Sequence, residues 1–184
     1  MKRQNSFGAA VFFLFLLAAG SAGGAELDFS WSLGEAELFF NGSDNPIDGS
    51  VGLGQFTLLA DKKLGFSVQL FDMESMSGKN TISYSFLPLM AEYRFIDLGD
   101  LFYIALYGKA AWRWTQQRKG SAPPDQEFSG AGGLRFLLPI PLGLHYTANL
   151  SLFAEYGVPD GFKLGISVDA LSVLLIWLVD VLDG

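Results

Sequence analysis

The chain has 184 residues, of which 50% are hydrophobic, 15% aromatic and only 17% charged, whereas about 25% of an average soluble domain is charged. Its formal net charge of −7 argues against nucleic acid as a partner, because proteins bind the phosphate backbone with an excess of basic residues. The chain has no cysteine, which excludes disulfides, thiol chemistry and thiolate metal sites.

The first residues predict a cleavable signal peptide of residues 1–25. Lys2 and Arg3 form a basic start, residues 9–19 are apolar throughout, and a run of small residues offers cleavage after Ala25. The apolar run is shorter than the ~20 residues that a membrane-spanning helix needs. Removal of the two basic residues with the signal leaves 10 basic and 19 acidic side chains.

Along the rest of the chain, apolar and polar residues alternate with the period of two that is typical of β-strands. Clusters of turn-forming residues divide this pattern into eight predicted strands. In chain order they cover residues 27–40, 51–60, 64–70, 82–95, 102–114, 128–138, 144–156 and 162–169. Gly34 changes the phase of the first strand, which predicts a bulge there, and Pro88 removes one backbone donor from the fourth.

The predicted links between these strands sort by length. The first, third, fifth and seventh links are polar loops of about five to twelve residues, and the others are turns of about three to five. Transmembrane barrels show this asymmetry, with short turns at one end and longer loops at the other. The links therefore favour a membrane barrel over a soluble sheet.

The strand of residues 144–156 indicates which face meets lipid. Tyr146 and Tyr156 lie on its apolar face, ten residues or ~33 Å apart, which is ~25 Å of height at a tilt of ~40°. This height matches the apolar band of a membrane barrel, whose edges carry aromatic girdles. Trp112 and Trp114 are further girdle candidates on the apolar face of their own strand.

Polar side chains occupy the opposite face and predict a narrow lumen filled by paired charges. The lumen candidates are Glu92, Arg94, Lys109, Arg113, Arg135, His145, Thr147, Asn149, Glu155, Lys163 and Asp169. The predicted fold is all-β, an eight-stranded antiparallel up-and-down transmembrane β-barrel over residues 26–184. The alternative is a soluble periplasmic sandwich or lipocalin-like β-barrel that binds an apolar ligand.

The signal sequence, the eight amphipathic strands, the short turns opposite longer loops and the lack of cysteine resemble small outer-membrane proteins of the OmpA, OmpX and OmpW kind. The resemblance is one of architecture. It implies an outer-membrane location, contact with outer-membrane lipid, and assembly by periplasmic chaperones and the barrel-assembly machinery. Partners of the external loops stay open, and the implied role is structural, surface contact or passage of small apolar solutes.

The C-terminal segment departs from that pattern. Such barrels end with an aromatic residue, whereas this chain ends Val181, Leu182, Asp183, Gly184. Residues 171–182 are apolar on every side and too short to span a membrane as a helix. They either extend the last strand or form a short helix at the rim.

His145, Thr147 and Glu155 supply a base, a hydroxyl and a carboxylate, which are the groups of a hydroxyl-His-acid catalytic arrangement. Eight-stranded outer-membrane lipid A deacylases are similar in placing a His and a Ser two residues apart on one strand. Glu155 lies about 33 Å along the strand from His145 and cannot orient it. We therefore expect no enzyme, and with one histidine and no cysteine we expect no metal site and no cofactor.

Overall fold

The computed structural model describes residues 26–41, 47–76, 80–99, 101–118, 123–141, 147–169 and 173–174. Most of these residues belong to β-strands: β1 (Leu27–Phe40), β2 (Asp48–Ala60), β3 (Leu64–Met76), β4 (Thr81–Phe86), β5 (Leu89–Asp97), β6 (Tyr103–Gln117), β7 (Asp125–Pro141), β8 (Thr147–Val158) and β9 (Gly161–Val168). The predicted signal peptide, residues 1–25, lies outside the described residues.

The strands form one antiparallel sheet that closes in a ring. β1 pairs with β2 on one side and with β9 on the other, where residues Ala36 to Phe40 join the two ends of the sheet. β4 and β5 are two halves of one strand position, because both pair with β3 and with β6. The ring therefore has eight strand positions, and the prediction of an all-β fold with eight antiparallel strands is confirmed.

The fourth predicted strand is divided between β4 and β5 at Leu87 and Pro88. Leu87 takes a left-handed conformation with φ of 54°, and Pro88 has no backbone N–H to donate. The ladder to β3 nevertheless crosses the break. Leu87 N–H donates to the Leu70 carbonyl at 3.3 Å, and Gln69 N–H donates to the Pro88 carbonyl at 3.0 Å.

On this side of the ring, the alternation of inward and outward side chains changes phase once in each strand position. The residues at which it changes lie side by side, and we call them the slip row: Leu33, Gly54, Leu70 and Leu87. These residues are opposite one another on neighbouring strands, and the pairing register is the same above and below them. Gly54 has φ of 62°, a conformation that glycine adopts without strain. The bulge predicted at Gly34 is therefore wrong, because neither strand carries an extra residue and both change phase together.

We call the end of the ring with links 41–47, 77–80, 118–124 and 159–160 the upper end. The lower end has links 61–63, 98–102 and 142–146. The predicted difference in link length is wrong: the upper links have seven, four, seven and two residues, and the lower links three, five and five. The strands continue through residues that were expected to be loops, since β2 begins at Asp48, β3 runs to Met76 and β7 begins at Asp125.

Polar side chains are buried inside the ring, and apolar side chains are exposed on its outer surface. On β8, Ser151 and Glu155 are 2% and 5% exposed, whereas Leu152 and Tyr156 are 50% and 66% exposed. The same inversion holds around the ring. The buried polar residues are Asp48, Ser50, Ser67, Glu74, Ser83, Ser85, Glu92, Arg113, Arg135, Ser151, Glu155, Lys163, Ser167 and Asp169.

One apolar cluster lies among these polar side chains, formed by Phe39, Tyr107 and Phe153. Gly165 makes room for it, because a Cβ at this position would stand 2.7 Å from both Phe39 and Phe153. Gly133 allows a similar approach of β8, since its Cβ would stand 2.1 Å from the Ala154 carbonyl oxygen. Because these two glycines have no side chain, the neighbouring strands and the rings of Phe39 and Phe153 can come close together in the interior.

The chain changes structure after β9. The Asp169 N–H donates to the Asn149 carbonyl at 3.0 Å, which adds one more bond to the β8 ladder. The Val173 N–H then donates to the Asp169 carbonyl at 3.3 Å, and Val173 and Leu174 are helical. The rest of the segment that was expected to form either a strand or a helix lies outside the described residues.

Candidate functional site

The candidate site is the polar interior of the ring, built from one face of each strand. Side chains of a strand alternate between the two faces of the sheet, so every second residue of β6 to β9 points inward. Lys109 and Arg113 come from β6, Arg135 from β7, Glu155 from β8 and Lys163 from β9. The interior therefore brings four basic side chains from three strands among carboxylates of the neighbouring strands.

Lys109 is the centre of a first group of charges. Its Nζ lies 3.2 Å from Glu37 Oε1 and 3.4 Å from Glu155 Oε2. The Tyr107 hydroxyl donates to the same Glu155 oxygen at 2.9 Å, and the Ser50 hydroxyl donates to Glu37 at 2.9 Å. Each buried carboxylate thus has a cation and a hydroxyl, which offsets the cost of removing it from water.

Arg113 organises a second group near the upper end. Its Nη1 and Nη2 donate to the two oxygens of Asp160 at 2.6 and 2.8 Å, and its Nε donates to Glu127 at 2.8 Å. The carboxylate of Glu74 lies 3.6 Å from Nη1. Lys163 bridges back to the first group, because it contacts Glu74, lies 3.3 Å from Asp160 and lies 4.0 Å from Glu155.

Arg135 lies at mid-height and is held less tightly. Its Nη2 is 3.7 Å from Glu35 and 3.8 Å from Glu37, and its guanidinium carbon is 5.2 Å from the centre of the Tyr107 ring. Its Nε is buried and has no hydrogen-bond partner among the described residues. Cations at this distance from carboxylates are typically bridged by water.

A smaller group lies toward the lower end. Arg94 Nε donates to Glu92 at 2.9 Å, and the Arg94 guanidinium lies 3.8 Å from the centre of the Tyr103 ring. The hydroxyls of Ser151 and Ser167 are hydrogen-bonded at 2.7 Å on the part of the wall formed by β8 and β9. Here the polar interior consists of short side chains and one ion pair rather than a continuous network.

The described residues line two cavities inside the ring. The upper cavity has a volume of about 110 Å³ and the lower one about 290 Å³, and both are lined by Glu35 and Arg135. Since one water occupies roughly 30 Å³ of liquid, the upper cavity has room for a few water molecules and is smaller than the ~300–1,000 Å³ of typical ligand pockets. Charged side chains thus line both cavities, and the upper cavity is too small for a typical ligand.

Most lumen candidates from the sequence lie inside the ring, and the structure brings several of them together. Glu92, Arg113, Arg135, Glu155, Lys163 and Asp169 are buried, Arg94 and Lys109 are half-buried, and Asn149 is exposed but lines the lower cavity. Of Thr147 only the backbone is described, as the first residue of β8, and His145 lies outside the described residues. The expectation that His145, Thr147 and Glu155 form no catalytic group therefore stays a prediction.

The sequence missed several carboxylates of the interior, namely Asp72, Glu74, Glu127 and Asp160. Asp72 and Glu74 were not assigned to an inward face because the strand phase changes at Leu70. The remaining two were placed in loops, although Glu127 belongs to β7 and Asp160 is drawn inward by Arg113. Alternation of the polar residues Asp72 and Glu74 with the apolar residues Phe71 and Met73 is the signal that could have revealed the longer strand.

The girdle candidates occupy the outer surface where they are described. Trp112 is 49% exposed and Tyr156 is 66% exposed. Trp114 is half-buried because it stacks on Tyr84 with ring centres 5.9 Å apart and meets the edge of Phe86 at 6.0 Å. Tyr146 lies outside the described residues.

The described residues form neither a metal site nor a membrane-spanning helix. In the described ranges, no three His, Asp or Glu side chains are arranged to hold a metal ion. Within the same ranges, none of the helical residues belongs to a helix long and apolar enough to cross a membrane. No protein-family model, curated protein or solved structure matches this chain.

Proposed function

We propose that this protein is an integral outer-membrane β-barrel whose apolar outer surface contacts lipid and whose lumen is filled by paired polar side chains. The observation that carries the proposal is the inversion of faces. Large apolar side chains such as Phe29, Trp31 and Phe128 are 68%, 62% and 62% exposed, while Arg113 and Lys163 are each 6% exposed. Soluble monomers rarely expose apolar surface so extensively, whereas lipid is a favourable surrounding for it.

The height of the apolar surface supports the same proposal. On β7, exposed apolar residues extend from Phe128 to Ile140, twelve residues apart. At about 3.3 Å per residue and a tilt of ~40°, this distance corresponds to about 30 Å of height. The hydrocarbon core of a bilayer is about 30 Å thick, so one strand covers it.

The role that fits this interior best is structural: a membrane-anchored ring that presents its upper links for surface contact. The network around Arg113 and Lys109 fills the upper half of the lumen, which opposes diffusion of large solutes. Apolar solutes would have to pass buried charges, which disfavours both an apolar conduit through the lumen and the alternative of a soluble barrel with an apolar calyx. A lipid-modifying hydrolase is a weaker candidate, because Lys109 and Tyr107 already hold Glu155.

Membrane insertion can be tested with a variant whose only tryptophan is Trp112, the other three being replaced by Phe. In vesicles that contain brominated lipids, we expect strong quenching of Trp112 fluorescence and little quenching by aqueous iodide. A matched single-tryptophan variant with Arg118→Trp at the upper end should show the reverse. Recovery of the protein in the soluble periplasm, together with iodide quenching of Trp112, would contradict the proposal.

Two further measurements separate the alternatives. A folded barrel should migrate differently on a gel before and after heating, and it should stay in the membrane pellet after a carbonate wash. For the hydrolase, replacement of His145 by Ala should leave lipid A unchanged. A change in lipid A that depends on His145 would replace the structural role by an enzymatic one.

A further inference from the structure

Arg135 is a buried cation that makes no hydrogen bond with the described residues. It is 5% exposed, its nearest carboxylate oxygens, in Glu35 and Glu37, lie 3.7 and 3.8 Å from Nη2, and its Nε has no partner. A guanidinium carries several N–H donors and no acceptor, and buried donors that stay unpaired are costly. The side chain therefore requires an acceptor from outside the described residues.

The two carboxylates beside Arg135 already have closer partners. Glu37 Oε1 lies 3.2 Å from Lys109 Nζ. Glu35 accepts a hydrogen bond from the Ser167 hydroxyl. Movement of either carboxylate toward Arg135 would weaken these contacts, so the missing acceptor is better supplied from the open space next to the guanidinium.

That space is the lower cavity, which Arg135 lines and which has a volume of about 290 Å³. This is the volume of about ten water molecules, and it is close to the ~300 Å³ at which the range of ligand pockets begins. Ser30 and Asn149, near the lower ends of β1 and β8, line the cavity and are exposed. A small solute can therefore reach the cavity from the lower end.

The charges around the lower cavity disfavour an anion as its occupant. Among the described residues, its charged lining consists of Arg94, Arg135, Glu35, Glu92 and Asp169. Arg94 is hydrogen-bonded to Glu92 at 2.9 Å, which leaves Arg135 as a single cation beside two carboxylates. An added anion would be repelled in this poorly solvated place, and a cation would leave the donors of Arg135 unpaired.

The uncharged lining of the cavity is rich in groups that both donate and accept hydrogen bonds. These hydroxyl and amide side chains come in pairs from β1, β2 and β8: Ser30, Ser32, Gln55, Thr57, Asn149 and Ser151. A ligand hydroxyl can accept from Arg135, and other hydroxyls of the same ligand can donate to Glu35 and to these side chains. The lining is thus complementary to a hydroxylated molecule without charge.

We propose that the lower cavity binds a small uncharged polyol of monosaccharide size, with one of its hydroxyl oxygens accepting from Arg135. Such a molecule satisfies the guanidinium without adding charge to the interior. A disaccharide would exceed the volume of the cavity. The inference goes beyond the proposed structural role, and its test on protein folded in detergent does not depend on insertion into lipid.

Saturation-transfer NMR of the protein, folded in a detergent without a sugar headgroup, measures weak binding directly. The neutral probes are glycerol, xylose, glucose and myo-inositol, and the comparisons are maltose, which is larger, and gluconate, which is anionic. We expect a saturable signal from at least one neutral probe and none from maltose or gluconate. Arg135→Met should weaken binding of that probe by about tenfold or more, because a hydrogen bond to a charged group is lost.

Ser32→Val is a second variant, which narrows the lower cavity without removing a charge. It should also weaken binding, whereas Ser129→Val, in the lining of the upper cavity, should bind the probe as the wild type does. Heat-modifiable mobility shows whether each variant has folded. The proposal is overturned if maltose or gluconate binds in place of the neutral probes, if no probe binds the folded protein, or if folded Arg135→Met or Ser32→Val binds as tightly as the wild type.

Discussion

Replacement of Arg113 by Met should be among the most destabilising single changes in this protein. The substitution keeps a long side chain but leaves Asp160, Glu127 and Glu74 without the cation that now lies 2.6 to 3.6 Å from them. Removal of one partner from a buried ion pair costs about 3–5 kcal/mol, because the remaining charge stays in a poorly solvated place. Since whole domains are stable by only about 5–15 kcal/mol, we expect a large part of the stability to be lost.

The measurement is urea unfolding in lipid vesicles, followed by tryptophan fluorescence, with refolding checked for reversibility. Lys62→Ala is the matched control, because its ion pair with Glu26 spans 4.0 Å between side chains that are 62% and 68% exposed. Exposed pairs contribute little to stability, so this variant should unfold near the wild-type midpoint. If Arg113→Met and Lys62→Ala unfolded at the same urea concentration, the interior network would not be what holds the ring together.

A double-mutant cycle identifies the partner that matters most. Asp160→Asn alone should cost less than Arg113→Met, since Arg113 keeps Glu127 and Glu74 while Lys163 keeps Glu74. The two changes together should cost less than their sum, with a coupling of about 0.5–3 kcal/mol that contacting residues typically show. Strictly additive losses would show that the two side chains do not interact despite their short contacts.

Three further changes test the packing and the proposed surroundings. Leu152→Arg should destabilise the protein in vesicles by about 2–4 kcal/mol if this outward side chain meets the middle of a bilayer, whereas an unchanged midpoint relative to Leu152→Ala would indicate water outside. Tyr107→Phe should lower the unfolding free energy by about 1–3 kcal/mol because buried Glu155 loses a donor, and an unaltered urea midpoint would contradict this. Gly133→Ala should cost about 1–3 kcal/mol by overpacking, and Gly108→Ala, whose nearest neighbour would be 3.7 Å away, should fold with wild-type stability.

Much of the fold could be predicted because alternation is a local property. Residues 144–156 show which side chains share a face without any knowledge of the neighbouring strands, and β8 has the expected inner and outer faces. The same reasoning placed Arg113 and Lys163 on the polar face. Burial of that face is a property of the closed ring, since closure places the charged side chains inside and leaves the apolar face outside.

The predictions that failed depend on pairs of strands. The change of phase at Leu70 coincides with Gly54 on one neighbour and Leu87 on the other, so it is a feature of four strands in register. Within one strand it resembled the end of the alternation, so Asp72 was left outside the predicted strand and Glu74 was placed in a predicted loop. The prediction of link lengths failed for the same reason. Polar strand ends are stabilised by their partners on the neighbouring strands, and they resemble loops when each strand is considered alone.

The distribution of polar contacts distinguishes the two halves of the ring. Asp160 lies in the β8–β9 link and is held from inside by Arg113, while the Arg118 N–H donates to the Asn80 carbonyl at 3.0 Å and so ties two other upper links together. The Asn41 side chain donates to Asp48 at 2.8 Å across the remaining upper link. The described residues at the ends of the upper links are therefore bonded to the ring or to one another, whereas the larger of the two cavities lies in the lower half.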